Sequence, residues 1–140
     1  MSPEAAMQRI NVILSHAWMV RTFLKHSDEM QEDEELLEVH RMIFDYTRAL
    51  EPSLKNGDVQ DYLRRAKGKL PKLRHVAELF AREFRRVSDH TNFHMAAASL
   101  TACVEEITEV LAGVESSSAS LAAQQDAKGD GQEQARHEDE

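Results

Sequence analysis

The chain has 140 residues, 41% of them hydrophobic, and a formal net charge of −8. This length fits a single domain, and the low counts of glycine (5) and proline (3) among many helix-forming residues favour helices over a β-sheet. The acidic balance argues against general nucleic-acid binding, because a phosphate-binding surface needs an excess of basic residues.

The first helix begins at a typical start signal, in which Ser2 is an N-cap and the next residue is a proline. Apolar residues then recur at three- and four-residue steps, which predicts a helix to about Ser27 with one broad buried face. The acidic segment from Asp28 suits the positive N-terminal end of a second helix. This helix is predicted to end at Glu51, because the residue before a proline avoids helical backbone.

Two further helices are predicted after a short turn. Asp58 is placed to cap the third helix, which extends to about Val87. Gly68 and Pro71 interrupt its pattern, so we expect either a kink or a break into two helices there. The fourth helix is predicted to end at Gly113, and it carries the most regular apolar pattern in the chain: Phe93, Ala97, Leu100, Val104, Ile107 and Leu111.

The C-terminal segment, residues 115–140, differs in composition from the rest of the chain. It contains one leucine, no aromatic residue, seven acidic residues and two basic residues. Such a segment buries too little apolar surface to offset the entropy of ordering, which predicts a disordered acidic tail. Residues 1–114 are then predicted to form an all-α domain, an antiparallel up-down-up-down four-helix bundle.

The histidines allow two interpretations. His90 and His94 have the four-residue spacing of a two-histidine metal site, and His16 and His40 are predicted at similar heights in the bundle. With His40 on the apolar face, these four residues could hold a transition metal or a haem between helices. Alternatively, His40 is a hydrogen-bonded core residue, and His90 and His94 line a solvated rim at the start of the last helix. The second interpretation is preferred, because no histidine has the Glu-x-x-His spacing of ferritin-like di-iron proteins.

Other chemical signals are weak. The single cysteine, Cys103, excludes an intrachain disulfide and is expected to be a small buried hydrophobe. The sequence has no Gly-rich phosphate loop and no hydrolase or metalloprotease motif, so no catalytic residue is assigned and catalysis is not expected. No secretory signal and no membrane-spanning run is apparent, which leads us to expect a cytoplasmic protein without membrane association.

The charged residues are strongly segregated. Residues 28–38 contain seven acidic residues and no basic one, whereas a basic stretch without acids contains Arg64, Arg65, Lys67, Lys69, Lys72 and Arg74. One interpretation is that the two segments are solvated faces of opposite sign. The other is that the basic stretch docks an acidic partner or phosphate groups. The sequence therefore predicts a non-catalytic bundle that acts by protein–protein interaction or self-association. The alternative function is metal or haem binding through the histidines.

Overall fold

The computed structural model describes the backbone of residues 1–139 and the side chains of residues 1–116. This part of the chain is helical and contains no β-strand, as the sequence predicts. No helix within it is both long and apolar enough to cross a membrane. In chain order the elements are α1 (Pro3–Lys25), α2 (Asp28–Gln31), α3 (Leu37–Lys55), α4 (Val59–Glu83), a 3₁₀ turn (Phe84–Arg86) and α5 (Thr91–Asp139).

The four long helices pack as an antiparallel bundle in which α1 and α4 each lie beside both α3 and α5. Contacts at the two ends of α1 show its direction relative to α5. The rings of Phe23 and Phe93 lie 5.1 Å apart near one end, and Arg9 pairs with Glu106 at 3.6 Å towards the other. The predicted up-down-up-down architecture is confirmed, with short connections placing successive long helices side by side.

The core follows the apolar faces read from the sequence. All six residues of the regular pattern on α5 are buried, and Leu100 at its centre is 0% exposed. Cys103 is buried beside them, with its Sγ 3.6 Å from the carbonyl oxygen of Ile13. Burial is the main cause that raises the pKa of the Cys103 thiol. This confirms the expectation that Cys103 is a small buried side chain, and a thiol in this setting is a poor nucleophile.

The acidic segment departs from the prediction of one continuous second helix. The short helix α2 and the long helix α3 are separated by residues 32–36. Within this connection the side chain of Asp33 accepts a hydrogen bond from the backbone N–H of Leu36 at 3.0 Å. Consecutive carboxylates repel each other, and an aspartate that bonds a nearby backbone N–H competes with helical pairing. The break therefore lies where the acidic residues are densest.

The predicted end of this helix at Glu51 is wrong, because α3 continues through Pro52 to Lys55. Proline removes only one backbone hydrogen bond, and here it lies in the last turns of the helix. The following residue, Ser53, is buried and donates a hydrogen bond from its hydroxyl to Asp61 at 2.7 Å. This contact between α3 and α4 favours the additional helical turn.

The region around Gly68 and Pro71 is part of one helix, since α4 runs without interruption from Val59 to Glu83. Of the two predicted alternatives, the structure thus has a single helix rather than two. Leu70 and Leu73 are both buried at this point, and their packing holds the segment on the bundle. Tertiary packing of an apolar face can outweigh the local cost of a proline within a helix.

The predicted end of the last helix at Gly113 is also wrong, because the backbone of α5 is helical to Asp139. Glycine ends a helix where it adopts a positive φ, and among the described residues only Gly57 does so, with φ of 66°. From residue 117 on, the side chains of the predicted tail (residues 115–140) lie outside the described residues. The disorder of this segment, and its separation from a domain of residues 1–114, remain predictions.

Two glycine substitutions are expected to change stability in opposite directions. Gly57→Ala forces a left-handed conformation on a residue with a Cβ and should cost about 1 kcal/mol. Gly68→Ala should stabilise the protein by about 0.5–1 kcal/mol, because Gly68 is inside α4 and a Cβ there meets no atom within 4 Å. Urea denaturation of both variants measures the change in the free energy of unfolding. A change of the same sign in both variants would contradict the prediction.

Candidate functional site

Two aromatic rings and two guanidinium groups form a cluster between α1 and α3. Trp18 and Phe44 lie 5.9 Å apart, centroid to centroid. The guanidinium of Arg21 lies 4.1 Å from the centre of the Trp18 ring, and that of Arg48 lies 5.2 Å from the Phe44 ring. We name these four residues the Arg-aromatic face. Such contacts attract a cation to an aromatic ring with about 0.5–2 kcal/mol.

Helical spacing explains how the sequence builds this face. Trp18 and Arg21 are three residues apart on α1, and Phe44 and Arg48 are four residues apart on α3, so each pair shares one side of its helix. Both pairs lie at the edge of the α1–α3 contact, where Arg21 is buried and the other three side chains are partly or fully exposed. Phe44 is consequently 37% exposed, one of the few large apolar side chains of the described part to reach solvent.

Arg21 is the most unusual member of the face because it is only 9% exposed. Its Nη1 donates to the hydroxyl of Thr22 at 3.3 Å, but its buried Nε has no hydrogen-bond acceptor in the described part. Among the side chains of residues 1–116, no carboxylate forms an ion pair with it. Buried arginines are usually paired with an acid, since an isolated charge is costly to remove from water.

A cleft of about 220 Å³ opens beside Arg21 on the α1–α3 surface. We call it the Arg21 cleft, and it is lined by Arg21, Lys25, His40, Arg41, Phe44 and Asp45. Three of these residues are basic and one is acidic, and Arg41 is already paired with Glu38 at 3.0 Å. The cleft therefore carries a small excess of positive charge around an unpaired guanidinium.

His40 lies in this cleft and not in the core, where its position between Leu36 and Ile43 predicts it. The preceding residue, Val39, takes the interior position and is fully buried, whereas His40 is half-buried at the edge of α3. Partial burial lowers the pKa of His40, and the positive charges of Arg41, Arg21 and Lys25 lower it further. The imidazole thus reports the electrostatic state of the cleft.

A second depression of about 250 Å³ lies beside Trp18. Its walls include Trp18, Arg48 and Thr47, and Tyr62 of α4 forms part of its floor. The Tyr62 hydroxyl is buried without a hydrogen-bond partner in the described residues, and burial raises the pKa of this phenol. The Arg-aromatic face thus contributes Trp18 and Arg48 to this depression, and Arg21 and Phe44 to the Arg21 cleft.

The other three histidines of the predicted metal set do not lie in this cleft. His16 is exposed on α1. His90 is exposed before α5, where its Nδ1 accepts a hydrogen bond from the backbone N–H of Asn92 at 3.0 Å. The His94 Nε2 lies 2.8 Å from a carboxylate oxygen of Asp89. Among the side chains of residues 1–116, no three His, Cys, Asp or Glu residues are placed to hold a metal ion.

The predicted docking residues form an exposed strip on α4, apart from the half-buried last one: Arg64, Arg65, Lys67, Lys69, Lys72 and Arg74. Four of the six have partners within the chain. Asp61 forms ion pairs with Arg64 and Arg65, and Glu115 forms one with Lys67. The Thr108 hydroxyl accepts a hydrogen bond from Arg74 at 2.8 Å. Hydrogen bonds from Ser53 and from the two arginines hold the pKa of Asp61 well below its usual range. The strip is therefore partly neutralised.

The acidic segment pairs elsewhere. Arg86 of the 3₁₀ turn binds Asp33 through its Nε at 2.7 Å and Glu35 through its Nη2 at 3.1 Å. The hydrogen bond from Arg86 is the main cause that lowers the pKa of Asp33. The two charged segments of the sequence thus do not neutralise each other within the described residues.

Comparison of the chain with protein-family models, curated proteins and solved structures gives no match. The geometry of the chain itself is therefore the basis on which a function is inferred. The Arg-aromatic face was not identified from the sequence, although Trp18 and Arg21, and likewise Phe44 and Arg48, show helical spacing. This spacing of an aromatic residue and an arginine indicates a shared surface only once α1 and α3 are known to be neighbours.

Proposed function

We propose that this bundle is a non-catalytic binding protein that docks a protein partner through the Arg-aromatic face. The supporting observation is the cluster of Trp18, Arg21, Phe44 and Arg48, packed together at a partly exposed edge. Aromatic residues and arginine are enriched at the energetic centres of protein interfaces. Mutual stacking restricts these side chains before binding, which reduces the entropy lost when a partner docks.

The basic strip on α4 is the weaker candidate for the same role. Its first residues share the carboxylate of Asp61, so part of its charge is already compensated. Exposed ion pairs and rim charges contribute about 0–1 kcal/mol each and influence the rate of association more than affinity. The Arg-aromatic face combines apolar area, cations and two recesses, and therefore offers a partner more to bind.

Replacing Phe44 and Arg48 with alanine should weaken partner binding at least tenfold and leave the helical signal unchanged. Partners are first captured with the full chain from a lysate of the source organism. Each purified partner is then titrated by calorimetry against wild type, the Phe44→Ala/Arg48→Ala variant and a Lys69→Ala/Lys72→Ala control on α4. Both control residues are exposed and lie on another helix.

Loss of affinity in the control but not in the face variant would contradict the proposal and identify the basic strip as the docking surface. Sedimentation of wild type at increasing concentration tests self-association in the same series. An increase in mass that the face variant abolishes would show that the partner is a second copy of the chain. Metal or haem binding through His16, His40, His90 and His94 remains the alternative prediction, and elemental analysis of purified protein tests it.

A further inference from the structure

The guanidinium of Arg21 lies close to two aromatic rings. It lies 4.1 Å from the centre of the Trp18 ring and 5.4 Å from that of Phe44, so both rings restrict its movement. A guanidinium packed against a ring leaves its edge for hydrogen bonding, and this edge matches the two oxygens of a carboxylate. Since Arg21 also lines the Arg21 cleft, the geometry suits an oxyanion that enters the cleft from solvent.

The charges around the cleft favour a ligand that carries a single negative charge. Arg21 and Lys25 contribute two cations from α1, and the third cation, Arg41, is paired with Glu38. Asp45 adds a negative charge on the α3 side of the cleft. A dianion such as phosphate would meet the repulsion of this carboxylate, whereas a monoanion balances the remaining positive charge.

We infer that the Arg21 cleft is a carboxylate-binding site that accepts an acidic side chain of the protein partner, with Arg21 as its principal ligand. The inference rests on the proposed function only for the source of the carboxylate. The neighbouring Phe44 ring then contacts the apolar part of the same partner segment. A carboxylate in this position supplies the counter-ion that the described part of the chain does not provide to Arg21.

The pKa of the His40 imidazole provides a measure of whether a carboxylate occupies the Arg21 cleft. It faces the basic groups Arg21 and Lys25 of α1, together with Glu38, Arg41 and Asp45 of its own helix. A bound carboxylate offsets the cations that disfavour the imidazolium, so it should raise the pKa of His40. By linkage, carboxylate binding should tighten as the pH falls through the pKa of His40.

The test follows the His40 ring by NMR while the full chain is titrated at constant ionic strength and about pH 6–8, where acetate stays ionised. The probes are sodium acetate, inorganic phosphate, and a blocked Leu-Glu-Leu peptide with its Leu-Gln-Leu counterpart. Acetate and the glutamate peptide should give saturable shifts and raise the pKa of His40. The glutamine peptide should bind at least fivefold more weakly than the glutamate peptide.

Arg21→Gln and Lys25→Gln should each weaken acetate binding at least fivefold, and Lys72→Gln on α4 is the control with the same change of charge. Lys25 is exposed, so its variant keeps the test valid if Arg21→Gln fails to fold. Absence of a saturable shift of the His40 ring signals with acetate or with the glutamate peptide would overturn the inference, as would phosphate binding ten times tighter than acetate. A loss of affinity in Lys72→Gln equal to that in Lys25→Gln would also overturn it.

The two proposals can fail separately. If the Phe44→Ala/Arg48→Ala variant keeps its affinity for the partner while acetate still shifts His40, the docking face is wrong and the carboxylate site stands. If that variant loses affinity while neither acetate nor the glutamate peptide affects His40, the carboxylate site is wrong and the docking face stands.

Discussion

Leu100→Ala is expected to lower the free energy of unfolding by about 2–5 kcal/mol. Leu100 is 0% exposed and lies in the middle of the apolar face of α5, which packs against both α1 and α4. Truncation removes buried methyl groups and leaves a cavity that helices held on two sides cannot readily close. Urea denaturation followed by circular dichroism measures the loss.

Met95→Ala is the matched control, because Met95 lies on the same helix and is 65% exposed. Its effect should stay within about 0.5 kcal/mol, as for most surface substitutions. A loss below 1 kcal/mol for Leu100→Ala would mean that α5 turns a different face to the bundle than the structure shows.

Two tyrosines of the core should respond oppositely to removal of their hydroxyl groups. The Tyr46 hydroxyl donates a hydrogen bond to the carbonyl of Ala66 at 2.8 Å, which joins α3 to α4. Tyr46→Phe should therefore cost about 1–2 kcal/mol. The Tyr62 hydroxyl is buried without a partner in the described residues, so Tyr62→Phe removes an unsatisfied polar group and should be neutral or stabilise by up to about 1 kcal/mol.

The pair is well matched, since both side chains are 1% exposed and the substitution is identical. Differential calorimetry of the two variants gives the sign of each effect directly. A clear destabilisation by Tyr62→Phe would show that its hydroxyl has a hydrogen-bond partner, such as a water in the depression beside Trp18. Equal losses in both variants would remove the distinction between the two hydroxyl groups.

Arg21 and Tyr62 each leave buried hydrogen-bonding capacity unused in the described part of the chain, and each lines a recess to which the Arg-aromatic face contributes. Unsatisfied polar groups reduce stability and are uncommon in native cores. Natural sequences tend to break local rules where function requires it. The presence of two such groups at the Arg-aromatic face therefore supports its assignment as a binding surface.

Features that depend on neighbours along the chain could be predicted from the sequence. The helix caps are an example. The Ser2 hydroxyl accepts a hydrogen bond from the backbone N–H of Ala5 at 3.1 Å, and the Asp58 carboxylate accepts one from the backbone N–H of Asp61 at 3.1 Å. The buried pattern on α5 and the bundle order were likewise predicted from spacing and short connections. Caps and helix faces are predictable because each is defined within a few residues of the chain.

Packing between helices sets which residues at the edge of an apolar face become buried or meet across helices. His40 was predicted inside and is half-buried at the edge of α3, because rotation of α3 about its axis is set by packing against α1 and α4. Arg21 is buried because Trp18 and Phe44 of two different helices enclose it. The pairing of residues distant in sequence depends on the relative rotation and height of two helices, and a periodicity of 3.6 residues determines neither quantity.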